Sequence, residues 1–343
     1  MSDIQLGLDT FGDITLDDAG GRKPAHEVIR DVIAEAVLAD QVGVDAIGLG
    51  EHHRDDYAIT SPDMVLAAIA GQTSRIRLGT AVTVLSSDDP VRVYERFATL
   101  DAASSGRAEI TLGRGSFTES FPLFGFSLDQ YETLFNEKLD LFAKLLDEKP
   151  VSWQGTFRTP MHGVNVYPKT QSGRIPAWIG VGGSPESVVR SVRYGIPMML
   201  AIIGGDPARF RPYVDLYHRA SDELGRDRMP LGAHSPGHIA ATDELAREQL
   251  YPHFKANRDR IGAERGWPPT GMAEFLAEAD GGSLYVGSPE TVARRIANTV
   301  RTLGLDRFDL KYSNGPMPHS QLAESIELYG SKVIPMVRDI LSS

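Results

Sequence analysis

Three ionisable residues follow a short apolar run early in the chain: the stretch from Ala46 to His53 ends in Glu51, His52 and His53. A run of this kind predicts a parallel strand that is buried on both faces. Polar groups just past the carboxyl ends of the strands carry the chemistry of barrel enzymes, with imidazoles as general acids or bases. The alternative is an ordinary strand that continues into a polar loop. Consecutive strand residues point to opposite faces, so the two histidines would diverge, and no metal site is expected.

A second candidate site is the glycine-rich turn at residues 180–187, which leads from a predicted strand into a helix. Small residues let the backbone approach an anion, and the unpaired N–H groups at the start of a helix bind phosphate. The residues that would contact the anion are Gly182, Gly183, Ser184 and Ser187. The alternative is a capped strand-to-helix turn, with Ser184 as the N-cap. The turn does not match the dinucleotide fingerprint, because Pro185 takes the place of its last glycine.

Arg114 is the third candidate, since it stands alone between two glycines at the end of another predicted strand. A guanidinium at the mouth of a barrel is well suited to phosphate, although an arginine in a surface turn would have the same sequence context. The strands that precede Arg114 and Ser184 are neighbours in the chain and should pair in a barrel. The two side chains would then lie at the same rim, which favours a shared phosphate site.

The elements that must position these groups alternate along the chain. Strands are predicted at residues 4–8, the start of 46–53, 76–85, 108–112, 177–181, 198–203, 231–240 and 308–312. Each is followed by a helical pattern, and this alternation predicts an α/β fold with a parallel sheet, a (β/α)8 TIM barrel rather than an open sheet. No interdomain linker stands out, so we expect a single domain over residues 1–343. A hairpin-like insertion at 150–170 and a glycine-, proline- and acid-rich stretch at 262–283 interrupt the pattern.

Composition narrows the classes of protein further. The 343 residues carry a net charge of −11, which argues against partners such as nucleic acid or an anionic membrane. The absence of cysteine excludes structural disulfides, thiolate zinc sites, iron–sulfur clusters and cysteine nucleophiles. The N-terminus has no signal-peptide pattern, and no run approaches the ~18 apolar residues of a membrane span. We therefore expect a cytoplasmic location.

Seven short motifs stand in an order that resembles the bacterial luciferase-like flavin monooxygenases. They are Gly-Glu-His-His (50–53), Arg-Leu-Gly-Thr-Ala-Val-Thr-Val-Leu (77–85), Pro-Val-Arg (90–92), Ser-Gly-Arg (105–107), Leu-Gly-Arg-Gly (112–115), Gly-Gly-Ser-Pro-Glu (182–186) and Val-Gly-Ser-Pro-Glu (286–290). Each is weak alone, but the ordered set is specific and covers nearly the whole chain. The resemblance implies a barrel that binds reduced FMN, usually supplied by a separate flavin reductase. It also implies that O₂ is used to oxygenate a small organic substrate.

The resemblance assigns roles to individual residues. It makes His52 the catalytic histidine beside the flavin, and we expect His53 to have a supporting role. It implies a cis peptide between Ala81 and Val82 under the isoalloxazine ring. It also places a mobile lid at residues 257–283, whose glycines and adjacent prolines leave little room for one regular element.

The phosphate end of the flavin is assigned in the same way. The resemblance makes Arg114 a phosphate-binding residue and matches Ser184 and Ser187 to hydroxyl positions that contact the phosphate. Gly183 departs from luciferase itself, which has a glutamate at this position. The difference puts luciferase-type phosphate geometry and light emission in doubt, but not flavin binding.

Two other functions and one question of assembly stay open. The same barrel serves oxidoreductases that use a deazaflavin and transfer a hydride without O₂, and relatives that bind flavin without turnover. The family usually forms homodimers, which would use the outer helix predicted from Pro90 to Ala103. Its apolar residues could equally face the barrel; they are Val91, Val93, Phe97 and Leu100. The sequence does not name the substrate.

Overall fold

The computed structural model describes residues 4–17, 19–115 and 117–343. Its strands are β1 (Gln5–Thr10), β2 (Ala46–Leu49), β3 (Arg77–Thr80), β4 (Thr83–Val84), β5 (Ile110–Gly113), β6 (Val151–Trp153), β7 (Met161–Val164), β8 (Ala177–Val181), β9 (Met198–Ala201), β10 (Leu231–Ile239), β11 (Tyr285–Gly287) and β12 (Arg307–Lys311). Its helices are α1 (Ala25–Gln41), α2 (Pro62–Ala70), α3 (Pro90–Ala103), α4 (Ser120–Leu123), α5 (Tyr131–Leu145), α6 (Pro185–Tyr194), α7 (Arg211–Glu223), α8 (Asp243–Arg265), α9 (Met272–Asp280), α10 (Pro289–Leu303), α11 (His319–Leu328) and α12 (Ile334–Ser342).

Parallel strands form the wall of a nearly closed barrel, in the order β3-β2-β1-β12-β10-β9-β8-β5-β4. The path starts and ends within the stretch 76–85, because β3 and β4 are the two halves of the strand predicted there. A parallel bridge between Leu78 and Ala108 also brings β3 against the chain just before β5. The predicted (β/α)8 TIM barrel is therefore confirmed, with β3 and β4 counted as one strand. The sequence does not predict β11, which pairs with the end of β10.

Alternation along the strands divides the side chains between the barrel interior and the surrounding helices. On β1, Gly7 has no room for a Cβ, because Asp309 of β12 fills that side inside the barrel. Leu6 and Leu8 alternate with it and are fully buried in the apolar core outside the barrel wall. In the part of the chain that the structure describes, no helix has the length and apolar content that crossing a membrane needs.

Buried charged side chains fill the amino-terminal half of the barrel interior. Arg307 lies 2.5 Å (Nη1) from Glu109 Oε1 and 2.9 Å (Nε) from Asp309 Oδ1. Arg77 Nε lies 2.8 Å from Glu109 Oε2. Because β12 and β5 are not neighbours in the sheet, these contacts cross the interior. The charges compensate one another, as burial in a low dielectric requires.

The stretch at 150–170 contains the hairpin that the sequence suggests. β6 and β7 pair with each other in antiparallel orientation, apart from the barrel sheet. Trp153 Nε1 donates a hydrogen bond to Asp140 Oδ2 at 2.9 Å, which ties the hairpin to α5.

Residues 257–283 are more regular than the sequence predicts. α8 continues to Arg265, and α9 follows it in the same stretch. Gly262 lies within α8, where a Cβ would come 3.3 Å from the Cβ of Trp267. Gly266 ends the helix with a φ of 72°, a left-handed conformation that favours glycine. The stretch is therefore not one continuous element, in agreement with its glycines and prolines, but it contains parts of two helices, and Gly262 and Gly266 serve close packing and helix termination. Its mobility remains a prediction.

The apolar residues of α3 pack inward rather than forming a free outer face. Val93, Phe97 and Leu100 are at most 3% exposed, and Val91 is half-buried against the same core. Of the two alternatives, inward packing is therefore confirmed, since burial within the chain already accounts for these residues. The homodimer remains a prediction without this support.

Candidate active site

His52 lies at the carboxyl end of the barrel, three residues after β2 ends. Backbone hydrogen bonds fix the segment around it. Glu51 N donates to Val82 O at 3.2 Å, and His52 N donates to Ile59 O at 3.1 Å. The first bond joins the segment to the end of the neighbouring β3–β4 strand, and the second closes the loop that follows. The candidate histidine is therefore held on rigid backbone.

Three aromatic rings enclose the imidazole of His52. The ring centroids of Phe11, Tyr57 and Phe117 lie 4.5, 4.6 and 5.1 Å from its own. The guanidinium of Arg54 covers Phe117, 4.6 Å from the ring centroid. The sequence gives no signal for this cage, because its rings come from three separate loops without a common spacing. The cage keeps water away from the histidine.

His52 is held in its neutral form. Burial lowers its pKa to about 3, and the positive charges of Lys311, His53 and Arg54 act in the same direction. Its Nε2 atom is buried and has no hydrogen-bond partner among the described residues. Leaving such an atom unpaired costs ~1–3 kcal/mol, which a ligand that pairs with it would recover. A neutral imidazole with one free nitrogen is suited to exchange a proton or a hydrogen bond there.

Glu51 and His53 brace the segment from the other side. His53 Nε2 lies 2.9 Å from Glu51 Oε1. The other carboxylate oxygen, Oε2, accepts a hydrogen bond from Val84 N on β4 at 2.9 Å. The side chains of His52 and His53 thus point in different directions, as strand geometry predicts. His53 pairs with Glu51 and is not part of the aromatic cage.

The peptide bond between Ala81 and Val82 is cis, as predicted, and lies between β3 and β4. The side chain of Val82 packs against bare backbone on two other strands. Gly113 of β5 has no room for a Cβ beside Val82, and a Cβ on Gly180 of β8 would lie 3.2 Å from Val82 Cγ1. Glycine at these two positions therefore makes the space for Val82, which forms part of the floor of the barrel mouth.

Arg190 of α6 joins Arg114 at the rim of the mouth. Glu132 bridges them: Arg114 Nη1 contacts Glu132 Oε1, and Arg190 Nη2 lies 3.2 Å from Glu132 Oε2. Arg190 Nη1 also lies 3.4 Å from Ser187 Oγ. The side chain of Glu132 is 52% exposed, so the bridge is open to solvent. Arg114 and Arg190 thus already share one anionic partner at the rim.

The turn before α6 contains a helix N-cap and still has backbone N–H groups without a helical partner. Ser187 N donates to Ser184 Oγ at 3.2 Å, and the two hydroxyl oxygens are 2.9 Å apart. Ser184 is therefore the N-cap, which is the alternative that the sequence leaves open. Gly183 has a φ of 104°, which favours glycine, and a Cβ on Gly182 would meet no atom within 4 Å. The cap pairs only one backbone N–H group, and other N–H groups of the first helical turn have no helical partner.

The structure brings the predicted parts of the rim together. β5 and β8 are paired neighbours, as predicted, so Arg114 and Ser184 share one rim. A chain of contacts through Glu132, Arg190 and Ser187 joins them. The sequence could have identified Arg190, because it stands three residues after Ser187 and thus on the same face of the helix. No such spacing points to Glu132.

Ion pairs join the end of α8 to the loop after β2. Arg54 binds Glu264 with both terminal nitrogens, at 2.6 and 2.9 Å. Arg260 contacts Asp55 and lies 3.3 Å from Asp56 Oδ2. We refer to these five residues as the clasp. It fixes the first part of the predicted lid to the loop that carries Tyr57 of the cage.

Proteins with this sequence pattern form a known family. A family model described as luciferase-like monooxygenase matches residues 10–307. The alkanal monooxygenase alpha chain of Photobacterium leiognathi is 26% identical, over 92% of this chain and 95% of the relative. The 4-hydroxyprotoasukamycin monooxygenase of Streptomyces nodosus subsp. asukaensis is 29% identical, over 78% of this chain and 76% of the relative.

Solved structures share the barrel. A monooxygenase from Streptomyces bottropensis superimposes with a TM-score of 0.82 at 23% identity, over 97% of this chain and 99% of that chain. The oxygenating constituent of a Pseudomonas putida 3,6-diketocamphane monooxygenase, in complex with FMN, gives 0.75 at 18% identity, over 97% and 98%. A coenzyme F420-dependent tetrahydromethanopterin reductase from Methanopyrus kandleri gives 0.71 at 20% identity, over 97% and 99%. At these identities the likeness shows the fold. Because the family model covers most of the chain, the protein belongs to the luciferase-like monooxygenases and is an enzyme of that family.

Proposed function

We propose that the protein is an FMN-dependent monooxygenase that uses reduced FMN and O₂ to oxygenate a small organic substrate. One observation carries the proposal: an unpartnered, neutral His52 and a rim site for an anionic group occur at the same end of the barrel. Reduced FMN, when bound, supplies the electrons that activate O₂ towards the substrate. The protein supplies binding, orientation and exclusion of water.

The rim fits the phosphate of FMN. The proposed phosphate-binding residues are Arg114, Arg190, Gly182, Gly183, Ser184 and Ser187. A phosphate monoester carries about −1.5 to −2 charges near neutral pH, more than the single charge of Glu132, so it competes well for the two guanidinium groups. The bare backbone at the glycines lets the N–H groups at the start of α6 approach its oxygens.

The floor and the cage fit the reactive end of the cofactor. In this proposal Ala81 and Val82 support the isoalloxazine ring from below. His52 is the catalytic residue and exchanges a proton or hydrogen bond at Nε2 with the reacting group. Phe11, Tyr57 and Phe117 exclude water from that atom, which strengthens its hydrogen bond and limits side reactions.

Two partners belong to the proposal because the resemblance implies them. A separate flavin reductase would supply reduced FMN, and the enzyme would work as a homodimer. Oxygenation that depends on added reductase, and a dimer mass in light scattering, would support these parts independently of the chemistry.

A deazaflavin-dependent oxidoreductase is the second candidate. The observation that favours it is the coenzyme F420-dependent reductase, which shares the barrel over nearly the whole chain. His52 and the rim would serve that cofactor as well, because it also combines a ring system with a phosphate. The difference lies in the reaction, since a hydride would pass to the substrate without O₂.

Cofactor binding and isotope incorporation separate the two functions. The protein is titrated with FMN and with a deazaflavin, and binding is followed by the quenching of flavin fluorescence. A screen of metabolite mixtures with reductase, FMN and isotopically labelled O₂ then detects labelled products. Tighter binding of FMN and label in an organic product would support the monooxygenase. Preference for the deazaflavin, with reduction of a substrate and no label, would overturn it.

A further inference from the structure

A second histidine, His234 on β10, lies inside the barrel and is paired with Asp9 on β1. His234 Nδ1 lies 2.8 Å from Asp9 Oδ2. Because β12 separates β1 from β10 in the sheet, the contact crosses the interior. The side chain of Asp9 is 1% exposed, whereas that of His234 is 13% exposed. The carboxylate therefore lies behind the imidazole, which keeps access to the open end of the barrel.

Strand register places His234 between the layer of buried charges and the candidate active site. On one side His234 pairs with Asp309 of β12, a member of that layer, and on the other side with Ala201 of β9. The residue before Ala201, Leu200, pairs with Val181 on β8, which directly precedes Gly182. His234 therefore links the charged layer to the strands whose ends carry the turn that is proposed to bind phosphate.

Asp9 reaches the same floor from the other side. A Cβ on Gly48 of β2 would lie 3.3 Å from the Cβ of Asp9 and 3.0 Å from the Cβ of Ala81. Only a bare backbone position thus separates Asp9 from the residue proposed to support the flavin ring. Asp9 Oδ1 is buried and has no hydrogen-bond partner among the described residues. Asp9 is therefore an incompletely satisfied carboxylate directly below the mouth.

The groups around His234 favour its charged form. Burial alone lowers the pKa of His234, but the carboxylates of Asp9 and Asp309 outweigh burial and the positive charge of Lys311, so the pKa is raised. On the side of β9, the register partner Ala201 adds no charge. Both neighbouring carboxylates thus stabilise a proton on the imidazole.

We propose that Asp9 and His234 form a charged pair in which Asp9 orients the protonated imidazole as hydrogen-bond donor to a negatively charged oxygen of the ligand in the mouth. The proposal rests on the proposed function for the presence of that ligand. With Nδ1 bound to Asp9, the donor is Nε2, for which the described residues provide no hydrogen-bond acceptor. Such an oxygen has two sources: the pyrimidine end of reduced FMN, or a phenolate or enolate oxygen of the substrate.

In this proposal His52 and His234 have different chemical roles at the carboxyl end of the barrel. His52 is neutral because hydrophobic burial and nearby cations disfavour its charge. The carboxylates of Asp9 and Asp309 raise the pKa of His234, which favours its cationic form. When their environments shift the pKa values of two titratable groups in opposite directions, one group is suited to accept a proton and the other to act as a charged donor in the same site. On this assignment His234 selects ligands that carry negative charge on oxygen.

The charge of His234 is measured first, in the wild-type chain and then in Asp9→Asn. Protein with ¹⁵N-labelled histidine and bound oxidised FMN is titrated by NMR. We expect both ring nitrogens of His234 to be protonated near neutral pH, and Asp9→Asn to lower the pH at which the ring titrates. His238 on the same strand is the internal reference, because burial lowers its pKa to about 4 and its ring stays neutral. A neutral His234 in the wild type would overturn the proposal.

Two binding experiments identify the source of the oxygen. His234→Gln keeps a donor but removes the charge, and His238→Gln is the matched control. If the flavin is the source, His234→Gln weakens the binding of reduced FMN about tenfold more than the binding of oxidised FMN. This difference lowers the two-electron midpoint potential of the bound flavin by ~30 mV. If the substrate is the source, His234→Gln weakens the binding of 4-fluorophenolate to the FMN-loaded protein about tenfold, as measured by ¹⁹F NMR, and leaves the binding of fluorobenzene unchanged.

These outcomes separate the pair from the proposed function. No change in either experiment would overturn the role of His234, even where wild-type protein binds FMN normally. Failure of the wild type to bind FMN would instead overturn the proposed function. In that case the NMR titration of the free protein still decides whether the pair is charged.

Discussion

One carboxylate oxygen of Glu132 contacts the guanidinium of Arg114, and the other lies 3.2 Å from Arg190 Nη2. In the proposed function this is the position of the FMN phosphate, so the protein's own carboxylate competes with its cofactor. Glu132→Gln removes the competing charge and keeps the size of the side chain. Because Glu132 is largely exposed, we expect a gain of up to about fivefold in FMN affinity, or ~1 kcal/mol.

Fluorescence titration with FMN measures this gain. Glu95→Gln is the matched control, since Glu95 also pairs with an exposed arginine, Arg92, but on α3. Unchanged or weaker binding by Glu132→Gln would show that its carboxylate does not occupy the anion position.

Removal of Arg114 tests the phosphate site directly. Arg114→Ala should weaken FMN binding about 10- to 150-fold, because a hydrogen bond to a charged group contributes roughly 1.5–3 kcal/mol. Arg193→Ala is the control, since Arg193 is exposed on the same helix as Arg190. FMN binding by Arg114→Ala with wild-type affinity would remove this residue from the site.

His52 is expected to act on the reaction rather than on cofactor binding. His52→Ala should keep FMN affinity within a few-fold but lose about 10²- to 10⁴-fold in oxygenation of the substrate, the usual contribution of a general acid or base. His53→Ala should affect activity less and stability more, because it removes the partner of the Glu51 brace. Product formation and Tm, measured on both variants, distinguish the two effects. Wild-type oxygenation by His52→Ala would make His52 a packing residue.

The neutral state of His52 predicts a dependence of stability on pH. Its pKa is about 3 in the folded chain and ordinarily 6.5, so its contribution is fully present above pH 6.5. As the pH falls below 6.5, the unfolded chain binds a proton that the folded chain does not, and the free energy of unfolding decreases. The loss from this residue reaches about 2 kcal/mol at pH 5.

Urea unfolding at several pH values measures this loss. His52→Gln lacks the titrating group and should lose less stability than the wild type between pH 6.5 and 5. His26→Gln, at an exposed histidine, should follow the wild type. Parallel pH curves for wild type and His52→Gln would contradict a buried neutral imidazole.

The ion pairs of the clasp predict where the proposed lid becomes susceptible to proteolysis. Glu264→Gln weakens the bidentate pair with Arg54, so we expect faster proteolysis in the connection between α8 and α9, and further acceleration by salt. Bound FMN and substrate should slow the cleavage. Glu274→Gln is the control, because Glu274 pairs with Arg258, which also belongs to the two lid helices. Equal cleavage rates for both variants would show that the clasp does not hold the lid.

Local periodicity explains how much of the fold the sequence predicts. The runs around Leu6, Ile47 and Ile179 are apolar because each strand is covered on the outside by helices, and this burial is visible in any single segment. The break at Ala81 and Val82 came from resemblance and not from pattern, since β3 and β4 read as one apolar run. A helix that begins at Asp243 is predicted, but its continuation to Arg265 is not, because Pro252 and Gly262 normally weaken a helix, while packing in the folded chain overrides that preference.

The candidate site divides in the same way. His52, Arg114 and Ser184 are predicted because each lies within three residues of the end of a strand, where position alone indicates a shared rim. The aromatic cage and the pair of Asp9 with His234 depend on contacts between residues that are far apart in sequence. No spacing within one segment encodes such contacts, so only the folded chain reveals them.

The buried charges of Arg77, Glu109, Arg307 and Asp309 have a consequence for the order of events in turnover. They fill the interior at one end of the barrel, so in the proposed function cofactor, substrate and product would all pass through the opposite end. A molecule that binds near that end would obstruct those that must go deeper. In the proposed function the flavin would therefore have to enter before the substrate, and the product would have to leave before spent flavin is exchanged. Excess substrate would occupy the passage early, and the enzyme would slow down at high substrate concentration.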